Sequence, residues 1–266
     1  SSAVANLQQD PAGAQAQDWV PVLVLVPSAK ADAAAGLTAI REAGADAARA
    51  GFRVFVPVCE GEVRDIPKVG DVHRALERPI GKALAELFRE VRAQHRIAQG
   101  GLHVAVLGDA AALATAVVAL REHVQSFTVL GAASEAELGP VRRLPQRRVH
   151  VVGPDAEARR RHFAALRAER ELPGPAADVA RTLDDFHDAA AKGDESRYFA
   201  ILPDDAVFLG TDLGERWTGA EFRAFAMPYF QRAEAWTYIP LQRHVTLAPA
   251  GDLDRKSTRL NSSHLV

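Results

Sequence analysis

Ala47-Ala48-Arg49-Ala50-Gly51-Phe52-Arg53-Val54-Phe55-Val56-Pro57 is the stretch from which the fold of the first half can be read. An Ala/Arg helical run stops at a glycine and passes into a short apolar segment that ends in proline. Working outward, the same alternation recurs: short apolar runs at 20–26, 53–58, 103–107, 127–130 and 148–152 are separated by Ala/Leu/Glu/Arg stretches at 33–50, 81–94, 110–124 and 156–170. Strands buried on both faces need apolar residues throughout, and longer helical patterns between them are the crossovers of a parallel sheet. The expectation is an α/β doubly wound domain over residues 18–168, with any ligand beyond the carboxyl ends of its strands.

Aromatic content then divides the chain. Residues 1–170 hold six aromatic side chains, whereas the shorter segment 171–253 holds eleven. Leu172-Pro173-Gly174-Pro175 lies between them, and two prolines and a glycine suit a linker, placed at 169–177. Residues 178–253 form the second domain, and residues 1–17 are read as a disordered or leader remnant.

The composition is that of a globular chain, with 266 residues, 48% hydrophobic and 25% charged. A net charge of −2 disfavours nucleic acid and anionic membranes as partners. The basic run Arg159-Arg160-Arg161 is read as a solvated helix face. One cysteine, Cys59, cannot form an internal disulfide or a thiolate metal site by itself, and it is taken as a small core residue. No metal and no cofactor is expected. The longest apolar run, Val20 to Val26, is too short to span a bilayer, which needs about 20 residues. Ala14-Gln15-Ala16 imitates a signal-cleavage site without an apolar segment before it, so a cytoplasmic location is favoured and a periplasmic one stays open. High Ala and Arg content points to a GC-rich bacterial source.

The order of pieces in the first half resembles the α/β-hydrolase superfamily. Its strand-to-helix nucleophile elbow corresponds to His103-Val104-Ala105-Val106-Leu107-Gly108-Asp109-Ala110-Ala111-Ala112. That elbow presents an exposed serine. Here Gly108 and Asp109 lead to Ala110 at the nucleophile position, and alanine has no atom that attacks a carbonyl. Asp155 is the nominal match for the acid, while His162 and His187 are poorly placed for the base, and Pro27-Ser28-Ala29 replaces the usual oxyanion His-Gly. A triad acts as a unit, so the resemblance implies a hydrolase plan without hydrolysis.

From Asp178 onward the chain resembles the SnoaL-like branch of the nuclear transport factor 2 (NTF2) superfamily. The residues carrying the resemblance are Leu183-Asp184-Asp185-Phe186-His187-Asp188, Ser196-Arg197-Tyr198-Phe199, Pro203-Asp204-Asp205-Ala206-Val207-Phe208-Leu209-Gly210-Thr211-Asp212, Glu215-Arg216-Trp217, Phe222-Arg223-Ala224-Phe225 and Arg243-His244-Val245. This implies an α+β cone, a curved sheet wrapped on helices around an apolar pocket. Asp212, His187 and His244 are the candidate acids and bases, and Trp217, Tyr229, Trp236 and Tyr238 are candidate pocket walls.

Each has a purely structural alternative. His187 shares a helical stripe with Leu183, Phe186 and Ala190, as a packed core histidine would, and Asp212 suits a turn before Gly214. Residues 236–247 alternate, placing Trp236, Tyr238, Gln242, His244 and Thr246 on one face and Thr237, Ile239, Leu241, Val245 and Leu247 on the other.

Asp254-Arg255-Lys256-Ser257-Thr258-Arg259-Leu260-Asn261-Ser262-Ser263-His264 resembles the in-frame translation of a sequencing adapter. On that reading residues 254–266 are non-native, the NTF2-like domain is truncated at Leu253, and a strand edge is left unpaired. The function expected is small-ligand binding or assembly without catalysis, with an apolar ligand and a homodimer through the NTF2-like sheet as partners. Proton-transfer catalysis of the isomerase or cyclase type in the pocket is the alternative, and an esterase is the second.

Overall fold

A computed structural model describes residues 6–15, 18–27, 33–57, 79–108, 124–131, 148–169, 172, 174–209, 214–232, 237–247 and 254–263. The chain divides into two compact units, Ser1–Glu171 and Leu172–Val266.

In the first unit, β1 (Asn6–Gln9), β2 (Val20–Val26), β3 (Arg53–Pro57), β4 (Ile97–Leu107), β5 (Ser126–Leu130) and β6 (Arg148–Val152) form one sheet in the order β1-β3-β2-β4-β5-β6. β2 through β6 run parallel, in the order of the flavodoxin-like doubly wound arrangement. Helices α1 (Ala33–Arg49), α2 (Pro79–Gln94) and α3 (Ala156–Ala168) cover the sheet.

Strand alternation sorts the core into two layers. Val22, Val24, Val104, Val106 and Phe127 pack against Leu84, Leu87, Phe88 and Val91 of α2. Leu23, Leu25, Ala105 and Leu130 face the other way, against Ala43 and Ala47 of α1 and Phe163 and Leu166 of α3. β2, β3 and β5 are buried at every position and so are largely apolar on both faces, whereas Val151 of the edge strand β6 is 48% exposed.

Several expectations need correction. Asn6 to Gln9, assigned to a leader remnant, pair antiparallel with β3 from Asn6↔Pro57 to Gln9↔Val54. The segment is fixed from within the core, where the buried Arg53 Nε donates to Asp10 Oδ1 at 2.5 Å and its Nη2 to the Gln15 carbonyl at 2.6 Å. β4 begins at Ile97, six residues before the expected start, with an irregularity where its pairing to β2 jumps from Ile97 to Leu102. Arg159 is no solvated face: only 12% of its side chain is exposed, and it pairs with Asp46 of α1 at 2.6 Å. All but Val124 of the expected helix at 110–124, and Cys59, lie outside the described residues.

The second unit contains α4 (Pro175–Ala191), α5 (Glu195–Ala200), β7 (Val207–Leu209), β8 (Arg216–Thr218), α6 (Gly219–Gln231), β9 (Thr237–Leu247) and β10 (Asp254–Ser263). Pro175 opens α4, where its missing N–H costs nothing, and Gly193 at φ 66 ends the turn after it. Asp194 caps α5, and Thr218 with Glu221 makes a capping box on α6. Ala189, Ala190, Tyr198, Phe199, Phe222, Ala226 and Phe230 form the core.

The expectation of an unpaired edge at the end of this unit also fails. Asp254 to Ser263, set aside from the fold, pair antiparallel with β9 from Asp254↔Leu247 to Ser263↔Thr237. The run is long enough to match the whole of β9, and such an edge readily accepts another strand.

Candidate functional site

In doubly wound sheets, ligands settle where the strand order reverses, beyond the carboxyl ends of the strands. Here that place lies between β2 and β4. Gly108 closes β4 at φ 57, a left-handed value that suits glycine, so the chain turns sharply where an elbow would. Asp109 and Ala110 lie outside the described residues. Asp155, the nominal acid, caps α3 by accepting from the Ala158 N–H at 2.7 Å. His162 contacts Thr128, its Nε2 lying 2.9 Å from Oγ1.

A serine–histidine pair does exist in this unit, unforeseen in the sequence. His103 Nδ1 lies 2.7 Å from Ser126 Oγ, and both residues are 2% exposed. They are register partners on β4 and β5, with Phe52 edge-on to the His103 ring at 5.4 Å. No substrate carbonyl reaches a hydroxyl enclosed in this way. The pair satisfies two buried polar groups, as interior packing demands. Its signal was present as a polar residue inside β4 and another opening β5.

In the second unit, an aromatic row runs from core to surface. Phe208 of β7 stacks on Phe222 of α6 with centroids 3.9 Å apart and planes 11° apart. Trp217 of β8 lies 6.2 Å from Phe208 and 4.6 Å from Phe225, and Phe225 lies 5.6 Å from Tyr229. Phe222 is buried, whereas Phe225 is 50% exposed. Arg232 sits over the Tyr229 ring at 5.1 Å.

Two of the expected wall residues, Trp217 and Tyr229, are thus joined through Phe225, which the sequence reading did not name as a wall. The signal for it was legible, since Phe222, Phe225 and Tyr229 follow i, i+3, i+7 spacing on α6.

The other candidates lie on other elements, and Phe186 beside His187 stacks on Tyr198, whose ring is 6.4 Å from that of Phe222. His187 is half-buried on α4, its ring 5.6 Å from that of Phe186. Asp212 and Trp236 lie outside the described residues. Tyr238 and His244 both belong to β9, but Arg259 pairs with Gln242 and Leu260 with Pro240, so Leu241 is an extra residue. A bulge of this kind shifts the alternation by one. The bulge lies between positions 238 and 244 in the strand. At the far end of β9, Thr246 is exposed and Val245 and Leu247 are half-buried, so the aliphatic positions there are the covered ones.

Arg197 joins several carboxylates in this unit. It bonds Asp185 at 2.5 Å and Asp188 at 3.0 Å, tying α5 to α4. Burial opposes its charge, but hydrogen bonds and attraction from Asp185 and Asp188 outweigh that, so its pKa is raised. These carboxylates are engaged in holding helices together.

Comparison with known families bears on the second unit. Residues 179–255 match the SnoaL-like domain. The match begins within α4 and reaches the first two residues of β10, so the SnoaL-like domain and the aromatic row coincide. No curated protein matches the chain. Among solved structures, one described under two fungal esterases from Rhizomucor miehei is similar over 76% of this chain at 12% identity, with a TM-score of 0.33. The chain covers 62% of that structure, and the likeness is too slight to carry an argument. No helix among the described residues is long and apolar enough to cross a membrane.

Proposed function

We propose that the SnoaL-like domain binds a flat, apolar small molecule and performs no chemistry on it. The observation supporting this is the graded row Phe222, Trp217, Phe225, Tyr229, which passes from a buried ring to a half-exposed one. Aromatic faces offset from one another present apolar area that a further ring can extend, at about 0.5–1.5 kcal/mol per ring contact beyond burial. Catalysis by proton transfer would need an acid or base within hydrogen-bond reach of that ligand. On this reading the α/β unit is a hydrolase-like sheet without its nucleophile, since the sequence has Ala110 at the position where the elbow serine would stand.

Titration of the full chain with the dye 1-anilinonaphthalene-8-sulfonate tests the reading. Saturable binding at one site is expected, weakened about fivefold to tenfold by Phe225→Ala, consistent with loss of roughly one ring contact. Affinity unchanged in Phe225→Ala and in Tyr229→Ala would remove the row as the binding surface. Proton exchange between a bound ketone and solvent, lost in His187→Gln, would instead favour the catalytic alternative.

A further inference from the structure

The first unit carries two histidines in tilted ring contact between β6 and α3. His150 of β6 and His162 of α3 have ring centroids 4.8 Å apart, and both are half-buried. We propose that this pair is an acid-sensitive latch: protonation in mildly acidic conditions loosens α3 from the sheet edge formed by β5 and β6.

The geometry supplies the cause. Thr128, the register partner of His150, meets His162 Nε2 from β5 at 2.9 Å, and a hydroxyl can donate to or accept from neutral imidazole. Phe163 flanks His162 at 5.8 Å and is fully buried against Phe52 and the strands. A proton taken up here would sit against apolar walls and a second imidazole.

The charged groups packed around α3 are largely committed to one another. Arg159 is held by Asp46 and Glu42 of α1, Asp46 also by Arg49, Arg161 by Glu157, and Asp155 by the Ala158 N–H. Arg159, one turn away on the same helix, is a further positive charge.

Burial first, and the neighbouring His150 second, lower the His162 pKa to about 4 from its ordinary 6.5. An undocked helix would protonate near the ordinary value. Docking is therefore unaffected above about pH 6.5 and weakens as pH falls from there toward about 4. Partial solvent access makes the effect smaller than the full shift implies. Loosening α3 would uncover Phe163 and Leu166, both buried in the core.

Amide hydrogen exchange on the full chain, corrected for the intrinsic pH dependence of exchange, provides the test. Protection of Ala165 and Leu166 should fall by about tenfold from pH 7 to pH 5, while α2 on the opposite layer changes little. His162→Gln keeps a partner for Thr128 without titrating and should abolish the fall. Equal protection at both pH values, or a fall of the same size in His162→Gln, would overturn the latch. Should that variant not fold, the wild-type imidazole resonances decide: titration of His162 well below pH 6 supports the proposal, and titration near 6.5 refutes it.

Discussion

Arg53 shows how a single residue can govern a segment distant in sequence. Its guanidinium is fully buried, yet it is satisfied by Asp10, by the Gln15 carbonyl and by His95, whose Nδ1 lies 3.0 Å away. Arginine only donates, so His95 Nδ1 must be the acceptor in that contact. Removing one partner of a buried ion pair strands the other charge, whereas replacing the charge with an apolar side chain strands nothing of comparable cost. Because the Asp10 side chain is 37% exposed and water can partly replace it, Asp10→Ala should destabilise the first unit by about 1–2 kcal/mol, less than a fully buried pair, and the double variant Asp10→Ala with Arg53→Met should recover part of the loss. Exchange protection in β2 and β3 measures both. Equal losses in the single and double variants would mean that Asp10 contributes no charge pairing. A lone arginine opening an apolar run can be seen in the sequence, but its partner 43 positions earlier cannot, because nothing local encodes that contact.

Helix ends and strand phases obey more local rules, and here the sequence was more informative. The Thr218–Glu221 box opens α6: the Glu221 carboxylate accepts from the Thr218 N–H at 2.8 Å and from its hydroxyl at 2.9 Å, which lowers its pKa. A depressed carboxylate stabilises the helix above its ordinary pKa of 4.5 and loses that contribution as pH falls through the folded value. Thr218→Ala should cost about 1 kcal/mol by thermal melting at pH 7. The cost should shrink in strong acid, and a penalty constant down to pH 2 would show that the carboxylate plays no part. At this scale the parallel strands, the helices around them and the SnoaL-like match were legible, since periodicity and turn residues report on neighbours a few positions away. The bulge at Leu241 was not. It arises from pairing with β10, a contact between strands that no local pattern in β9 encodes.

At the scale of the whole molecule, the status of residues 254–266 decides how the SnoaL-like domain holds together. The sequence reading excluded them, and the domain then ends at an open strand; the structure spends ten of them on β10, covering one edge of β9 from end to end. The two pictures differ measurably. If β10 is integral, a chain ending at Leu253 loses every cross-strand pair of that ladder and exposes an edge with Ile239, Leu241, Val245 and Leu247 along it. Such a chain should unfold its second unit at least several degrees lower and aggregate at concentrations where the longer chain remains monodisperse. The first unit, with its own sheet and two-layered core, should keep its exchange protection in β2 to β5. The aromatic row adds a second reading of the same experiment, because Phe208, Trp217, Phe222 and Phe225 lie on β7, β8 and α6 and make their ring contacts with one another. Dye binding that survives the deletion while thermal stability falls would make β10 a structural closure and leave the row as the binding surface. Unchanged stability and solubility would mean that residues 254–266 contribute nothing to the domain, and the SnoaL-like sheet must then be stabilised elsewhere.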